Sequence, residues 1–203
     1  ASGGAKIIYH HSELINDLNN FSSQVIHIKK KKTAKWKTSF NKKFKITKGI
    51  ETGWQLNEIE ANKKFKYDWF RNKISIKENL NFDKKKDFVI LPEIFAHLAS
   101  DLLIKNKIKY AIFVQNGYSI NFTNNLKKLE LAYSKAEFIL SYSSDISECI
   151  KLNFPKLKTE IIKIKYSIAS NSIKKRVRKK NLITYMSRKL PVHSNHVVLL
   201  LKK

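Results

Sequence analysis

The sequence contains a single cysteine, Cys149, among 203 residues, so no disulfide bond can form within the chain. No apolar run approaches the roughly 18 residues that a membrane-spanning helix needs. The sequence also has neither a GxGxxG dinucleotide-binding motif nor a cluster of metal-ligand residues. These absences exclude a disulfide scaffold, and they remove the strongest sequence signals for a nicotinamide-dependent enzyme and for a metal site.

Acidic residues are also scarce, because 16 Asp and Glu stand against 41 Lys and Arg, which gives a formal net charge of +25. Such an excess favours nucleic acid, an anionic membrane or a phosphorylated ligand as partner. Arginine is nearly absent, however, with only Arg71, Arg176, Arg178 and Arg188, and nucleic-acid readers rely on arginine for bidentate contacts. Lysine, asparagine and isoleucine have A/T-rich codons, so genome composition also accounts for part of the excess. We therefore keep nucleic-acid binding through lysines and aromatic residues as the alternative function.

From residue 86 onwards, short apolar runs alternate with segments of helical periodicity. The apolar runs predict strands over 87–93, 109–117, 137–143 and 159–168. The intervening segments predict helices over 94–106, 124–136 and 144–154. Continuously apolar strands that alternate with helices are typical of a parallel sheet covered on both faces. The sequence therefore predicts a Rossmann-like α/β fold.

The N-terminal part begins with Gly3 and Gly4, which precede a predicted helix over 5–19 and a predicted short strand over 24–28. A glycine turn that leads into a helix is typical of the end of a parallel strand. We therefore expect the two glycines to form the exit loop of a first strand that precedes these residues, and the alternative is an unstructured terminus. Residues 29–85 show only an excursion of loops and short elements.

The pattern changes again after residue 168. Residues 169–181 are polar and basic and predict a linker. A strand over 182–186, a loop over 187–194 and a helix from about 195 then resemble the start of another strand–helix unit. We therefore expect a Rossmann-like domain over 1–168, a linker over 169–181, and the start of a truncated second domain over 182–203.

The predicted parallel sheet indicates where a ligand binds. Right-handed crossovers bring every strand-to-helix loop to one edge of the sheet, and ligands bind outside the carboxyl ends of the strands. That edge collects Gly3, Gly4, Glu93, Asn116, and the serines Ser141, Ser143 and Ser144. A carboxylate there can bind acceptor hydroxyls. The alternatives are a charge favoured by the helix dipole at Glu93, a plain Asn-Gly turn at Asn116, and helix caps at the serines.

The histidines give weaker signals. His10 and His11 are adjacent, so they do not share a helix face and do not form a metal pair, although one of them could act as a base in the cleft. His193 and His196 have a metal-compatible spacing but lack an evident third ligand. His97 lies in the middle of a predicted helix and is interpreted as structural.

The ordered series SGGAKIIY, DFVILPE, YAIFVQNGYS, FILSYSSDISECIKLNFP and ITYMSRK resembles bacterial glycosyltransferases of the GT-B fold, in the large group-1 superfamily. In that family a Gly-Gly loop follows the first strand, two strands ending in PE and QN build the acceptor face, and a YMPRK-like strand opens the nucleotide-sugar domain. The resemblance spans most of the chain except about residues 30–65. The order of the motifs carries it, because each motif alone is short.

The resemblance implies transfer of a sugar from a nucleotide-sugar donor to a glycan or lipid-linked acceptor, in the cleft between two domains. It implies no bound metal or other cofactor, and it leaves the catalytic residue unassigned. The positions that match its acceptor face are Gly3, Gly4, Glu93 and Asn116, and those that match its donor phosphate site are Arg188 and Lys189. Arginine offers phosphate oxygens a fixed fork of donors.

The remaining expectations also follow from the resemblance. The glutamates that complete the donor site in the family lie beyond Lys203, so we expect these 203 residues alone to be inactive in sugar transfer. We expect a cytoplasmic protein whose lysine excess allows peripheral contact with an anionic membrane.

Overall fold

The computed structural model describes residues 3–18, 20–31, 55–62, 75–121, 125–165 and 198–200. The chain divides into two compact units, Ala1–Tyr166 and Ser167–Lys203. The predicted linker over 169–181 and the predicted strand over 182–186 lie outside the described residues, so the domain division stays a prediction. All elements given below belong to the first unit.

The described residues of the first unit form three helices: α1 (Gly3–Asn16), α2 (Leu126–Lys135) and α3 (Ser144–Asn153). Its strands are β1 (Ile28–Lys30), β2 (Ile59–Ala61), β3 (Phe88–Pro92), β4 (Lys109–Val114), β5 (Phe138–Ser141) and β6 (Ile161–Lys163). Short helical turns of the 3-10 type occur at Leu56–Glu58, Glu93–Leu98 and Gly117–Ser119, and a π-type turn covers Ser100–Ile104. None of the helices in the described ranges combines the length and the apolar character that a bilayer crossing requires.

The central feature is a four-stranded sheet of β3, β4, β5 and β6, in that spatial order, and each neighbouring pair is parallel. The predicted parallel sheet of an α/β protein is therefore confirmed. The strands β1 and β2 form a separate antiparallel pair. Among the described residues, the four strands of the main sheet follow one another in space in the same order as in the chain.

Helices cover both faces of this sheet at β4, which is buried along most of its length. Tyr110, Ile112 and Val114 lie on one face and belong to the core cluster that the connecting helices complete. Successive residues of a strand point to opposite faces. Phe113 therefore lies on the other face, where the ring of His11 in α1 has its centroid 5.4 Å away.

Helix α2 shows how the local sequence and the core act together. Its first turn is capped by Asn125, whose side-chain oxygen accepts the backbone N–H of Lys128 at 3.1 Å. Leu129, Ala132 and Tyr133 are spaced three and four residues apart and are all fully buried. The Tyr110 hydroxyl donates to the carbonyl of Ala132 at 2.6 Å, which ties the helix to β4.

The predicted amphipathic helix over 94–106 is wrong in its type. The segment winds as a 3-10 turn, Glu93–Leu98, followed by the π-type turn Ser100–Ile104. Five consecutive residues, 96–100, are buried. A helix with one solvated face cannot bury five residues in a row, so this segment is enclosed by the rest of the unit rather than lying on its surface.

The predicted strand over 24–28 is also not continuous. Val25 forms an isolated parallel bridge with Ile76, and Ile28 already belongs to β1. Between them the side chain of His27 is bonded to the hydroxyl of Tyr9 at 2.6 Å. The β-branched run therefore serves two different pairings, one with residues near 76 and one with β2, which periodicity alone does not reveal.

Two leucines of α2 provide a test of the core. Leu129 is fully buried and Leu131 is 40% exposed. We expect Leu129→Ala to lower the free energy of unfolding by about 2–5 kcal/mol, because it leaves a cavity between α2 and the sheet. Leu131→Ala, the matched control on the same helix, should change it by about 0.5 kcal/mol or less. Urea unfolding of both variants measures this, and equal effects would contradict the described packing.

Candidate functional site

The carboxyl ends of β3 and β4 meet at one edge of the sheet, and the side chain of Glu93 joins them. Glu93 follows the last residue of β3 and is only 6% exposed. Its two carboxylate oxygens accept the backbone N–H groups of Gln115 at 3.1 Å and of Asn116 at 3.2 Å. The predicted site residues Glu93 and Asn116 are therefore in direct contact, although no local pattern signals this bond.

The environment of Glu93 changes its ionisation. Burial raises the pKa of its carboxyl group, and the backbone N–H groups of Gln115, Glu93 and Asn116 act in the opposite direction. The pKa of the neighbouring Tyr133 is raised as well, first by burial and then by the negative charge of Glu93. In this geometry the carboxyl group of Glu93 fixes the backbone of the turn after β4. The side chains of Gln115 and Asn116 then lie at the edge of the sheet.

The two N-terminal glycines lie at the same edge. Gly3 and Gly4 form the first turn of α1, so the prediction that they form a loop before the helix is wrong. The side-chain amide of Gln115 donates to the carbonyl of Gly4 at 3.3 Å. The first turn of a helix carries backbone N–H groups without partners in the helix, which suits it to polar or anionic ligands. Gly4 thus contacts the residue that precedes Asn116 at this edge, but from helical backbone.

The residues after β4 form a tightly fixed turn. The side-chain oxygen of Asn116 accepts the backbone N–H of Tyr118 at 3.1 Å, and its carbonyl accepts the N–H of Ser119 at 3.0 Å. Gly117 is pressed against α3, where a Cβ atom would lie 2.7 Å from the Cβ atom of Cys149. The Asn-Gly pair is therefore a turn, and glycine is required there for close packing.

The serines at the end of β5 all form hydrogen bonds, and Ser143 is the helix cap. The hydroxyl of Ser143 accepts the backbone N–H of Ile146 at 3.1 Å and begins α3, as predicted. The hydroxyl of Ser141 lies 2.8 Å from that of Ser147, which also donates to the carbonyl of Ser143. Ser144 accepts the ammonium of Lys163 at 2.9 Å. These contacts position the start of α3 at the edge of the sheet.

His11, one of the two histidines considered above as a base in the cleft, is paired with Tyr142, a residue that the sequence did not single out. The Nε2 atom of His11 lies 3.1 Å from the hydroxyl of Tyr142, and both rings pack on Phe113. Burial, together with the neighbouring His10, lowers the pKa of His11. The stripe formed by Ile7 and His11 could have indicated that His11 faces the protein, but nothing local indicates its partner, which lies 131 residues away.

The other predicted site residues are placed as follows. Arg188, Lys189, His193 and His196 lie outside the described residues, so the donor phosphate site stays a prediction. His97 is 2% exposed within the enclosed turn after β3. Within the described ranges, no three His, Cys, Asp or Glu side chains come together as metal ligands would.

Comparison with known proteins adds no relative to this description. No protein-family model, no curated protein and no solved structure matches the chain. What the structure defines is therefore an α/β protein with a four-stranded parallel sheet flanked by helices, and its function rests on the geometry of the sheet edge.

The raised pKa of Glu93 leads to a test by pH. Since the folded protein holds this proton more tightly than the unfolded chain, the contribution of Glu93 to stability is complete below the ordinary pKa of 4.5 and is lost as the pH rises through the raised value. Glu93→Gln has no such titration. We expect the difference in free energy of unfolding, wild type minus Glu93→Gln, to fall between pH 4 and pH 8, by about 1.4 kcal/mol for each unit of pKa elevation. Urea unfolding at each pH measures it, and a constant or rising difference would contradict the assignment.

Proposed function

We propose that this chain forms the acceptor-binding part of a glycosyltransferase of the GT-B type, which transfers a sugar from a nucleotide-sugar donor to a glycan or lipid-linked acceptor. One observation carries the proposal. Gly4, Glu93 and the adjacent pair Gln115 and Asn116 come from three separate segments of the sequence and meet at the carboxyl edge of a parallel sheet. That edge is where α/β proteins bind their ligands.

The chemistry of the edge suits an acceptor with hydroxyl groups. Asn116 and Gln115 offer side-chain amides, which both donate and accept hydrogen bonds. Gly3 and Gly4, in the first turn of α1, bring backbone to the same place, since the Gly4 carbonyl accepts the side chain of Gln115. Glu93 serves as a positioning residue, because its buried carboxylate is bonded to the N–H groups of the loop. The proposed acceptor-binding set is therefore Gly3, Gly4 and Asn116 at the ligand, with Glu93 behind them.

In the proposed reaction an acceptor hydroxyl oxygen forms a bond to the anomeric carbon of the donor sugar. The bond between that carbon and the diphosphate oxygen breaks, and the nucleoside diphosphate leaves with the electron pair. The hydroxyl proton passes to a base or to solvent. Negative charge grows on the diphosphate, where Arg188 and Lys189 are proposed to stabilise it.

The net charge of +25 favours one alternative, a nucleic-acid-binding module. Stacking on bases requires exposed aromatic rings. Tyr9, Tyr110 and Tyr133 are buried in the core, whereas Tyr118 is exposed. The three tryptophans lie outside the described residues. Affinity for RNA or single-stranded DNA that falls steeply with salt, without any response to nucleotide sugars, would favour this alternative.

Asn116 provides the test of the proposed function. In the full-length gene product, we expect release of nucleoside diphosphate from one of a panel of UDP-, GDP-, ADP- and dTDP-sugars when membranes or glycans supply the acceptor. Asn116→Ala should lower kcat/KM for the acceptor by about tenfold, equivalent to about 1.4 kcal/mol of transition-state stabilisation. The KM for the donor should remain within about twofold, because the donor is bound by other residues.

Asn79→Ala is the matched control. Asn79 is also exposed, and its side chain accepts a backbone N–H two residues later, from Asn81 at 3.0 Å, as that of Asn116 does from Tyr118. It should leave both parameters unchanged. Equal losses in the two variants, or no sugar transfer with any donor, would reject the proposal.

A further inference from the structure

Tyr118 stands out among the aromatic residues of the described ranges. It is 83% exposed, the largest value among the exposed large hydrophobic residues there. It lies two residues after Asn116, in the short 3-10 turn Gly117–Ser119 at the carboxyl end of β4. A tyrosine presents an apolar ring with a polar tip, which makes it a frequent contact residue at binding surfaces.

The backbone below Tyr118 is held from several directions. Glu93 binds the N–H group of Asn116, and Asn116 in turn accepts the N–H group of Tyr118 at 3.1 Å. Gly117 leaves no space for a Cβ atom against Cys149. The ring of Tyr118 is therefore exposed on a fixed backbone, and a ligand that packs on it does not have to order the turn first.

The lack of charged residues beside Tyr118 in the sequence indicates the class of ligand. Lys and Arg make up 41 of the 203 residues, yet residues 110–126 contain no charged side chain at all. The exposed part of this stretch carries amides and hydroxyls, among them Gln115, Asn116, Ser119 and Asn121. A phosphate or a nucleic-acid backbone would be met by Lys or Arg. A turn whose own residues are uncharged amides and hydroxyls beside an aromatic ring complements a neutral polyhydroxylated ligand.

We propose that Tyr118 and Asn116 form a subsite for a neutral pyranose ring of the acceptor. The apolar C–H face of the sugar packs on the ring of Tyr118, and the side-chain N–H groups of Asn116 donate to its hydroxyls. This inference rests on the proposed function, because that function makes the sugar the acceptor. Binding of the sugar to Tyr118 and Asn116 does not require the donor. It can therefore be tested separately.

The test is ligand-observed NMR of the purified 203-residue chain with methyl glycosides of glucose, galactose, mannose and rhamnose as probes. We expect saturation transfer to the ring C–H protons of at least one glycoside. Tyr118→Ala should weaken its binding by about fivefold or more, whereas Tyr118→Phe and Tyr118→Trp should remain within about twofold, since they keep an aromatic face. Because Tyr118 is 83% exposed, its truncation leaves the core intact, which thermal unfolding can verify.

Phe21→Ala is the matched control, because Phe21 is an aromatic residue that is 65% exposed and follows the far end of α1 from Gly4. It should bind the glycoside as the wild type does. Three results would each overturn the subsite. The first is that no glycoside binds at all, and the second is that Tyr118→Ala binds the glycoside as the wild type does. The third is that Tyr118→Ala loses only the binding of UMP or of an oligonucleotide. Glycoside binding through Tyr118 without sugar transfer by the full-length gene product would instead uphold the subsite and reject the transferase.

Discussion

The geometry of the sheet edge depends on the hydrogen bonds between the buried carboxyl group of Glu93 and the turn after β4. A parallel sheet fixes its strands by backbone hydrogen bonds, but these bonds stop where the strands stop. Glu93 links the chain segments beyond the ends of β3 and β4, because both of its carboxyl oxygens accept N–H groups of the residues that follow β4. The positions of Gln115, Asn116 and Tyr118 all follow from this contact.

Glu93 differs from the other Asp, Glu and Lys side chains of the described residues because it is buried. Among the described residues, the buried polar and charged side chains are Ser12, Glu93, His97, Ser100 and Ser141. No lysine is in this group, so the lysines of these ranges lie at partly or fully exposed positions, where solvent and salt weaken the effect of their charge. The turn after β4, in contrast, contains no lysine or arginine.

The sequence predicted the sheet well because its strands carry a local signal. The apolar runs at β3, β4 and β5 are bounded by polar residues, and Ser143 is a typical cap for α3. The turns after β3 were not predictable, since burial of residues 96–100 depends on what surrounds them. The bond from His11 to Tyr142 and the bonds of Glu93 to the turn after β4 link distant segments, and neither leaves a pattern in the neighbouring sequence.

The order of the strands has a consequence for how the domain is made. Among the described strands, β4, β5 and β6 each pair with the strand that precedes them in the chain. During synthesis, β4 can therefore dock on β3, and β5 on β4, as soon as each segment leaves the ribosome, without waiting for a distant partner. Pairing between successive elements keeps loop closure short and limits the time for which an unpaired apolar edge is exposed to aggregation.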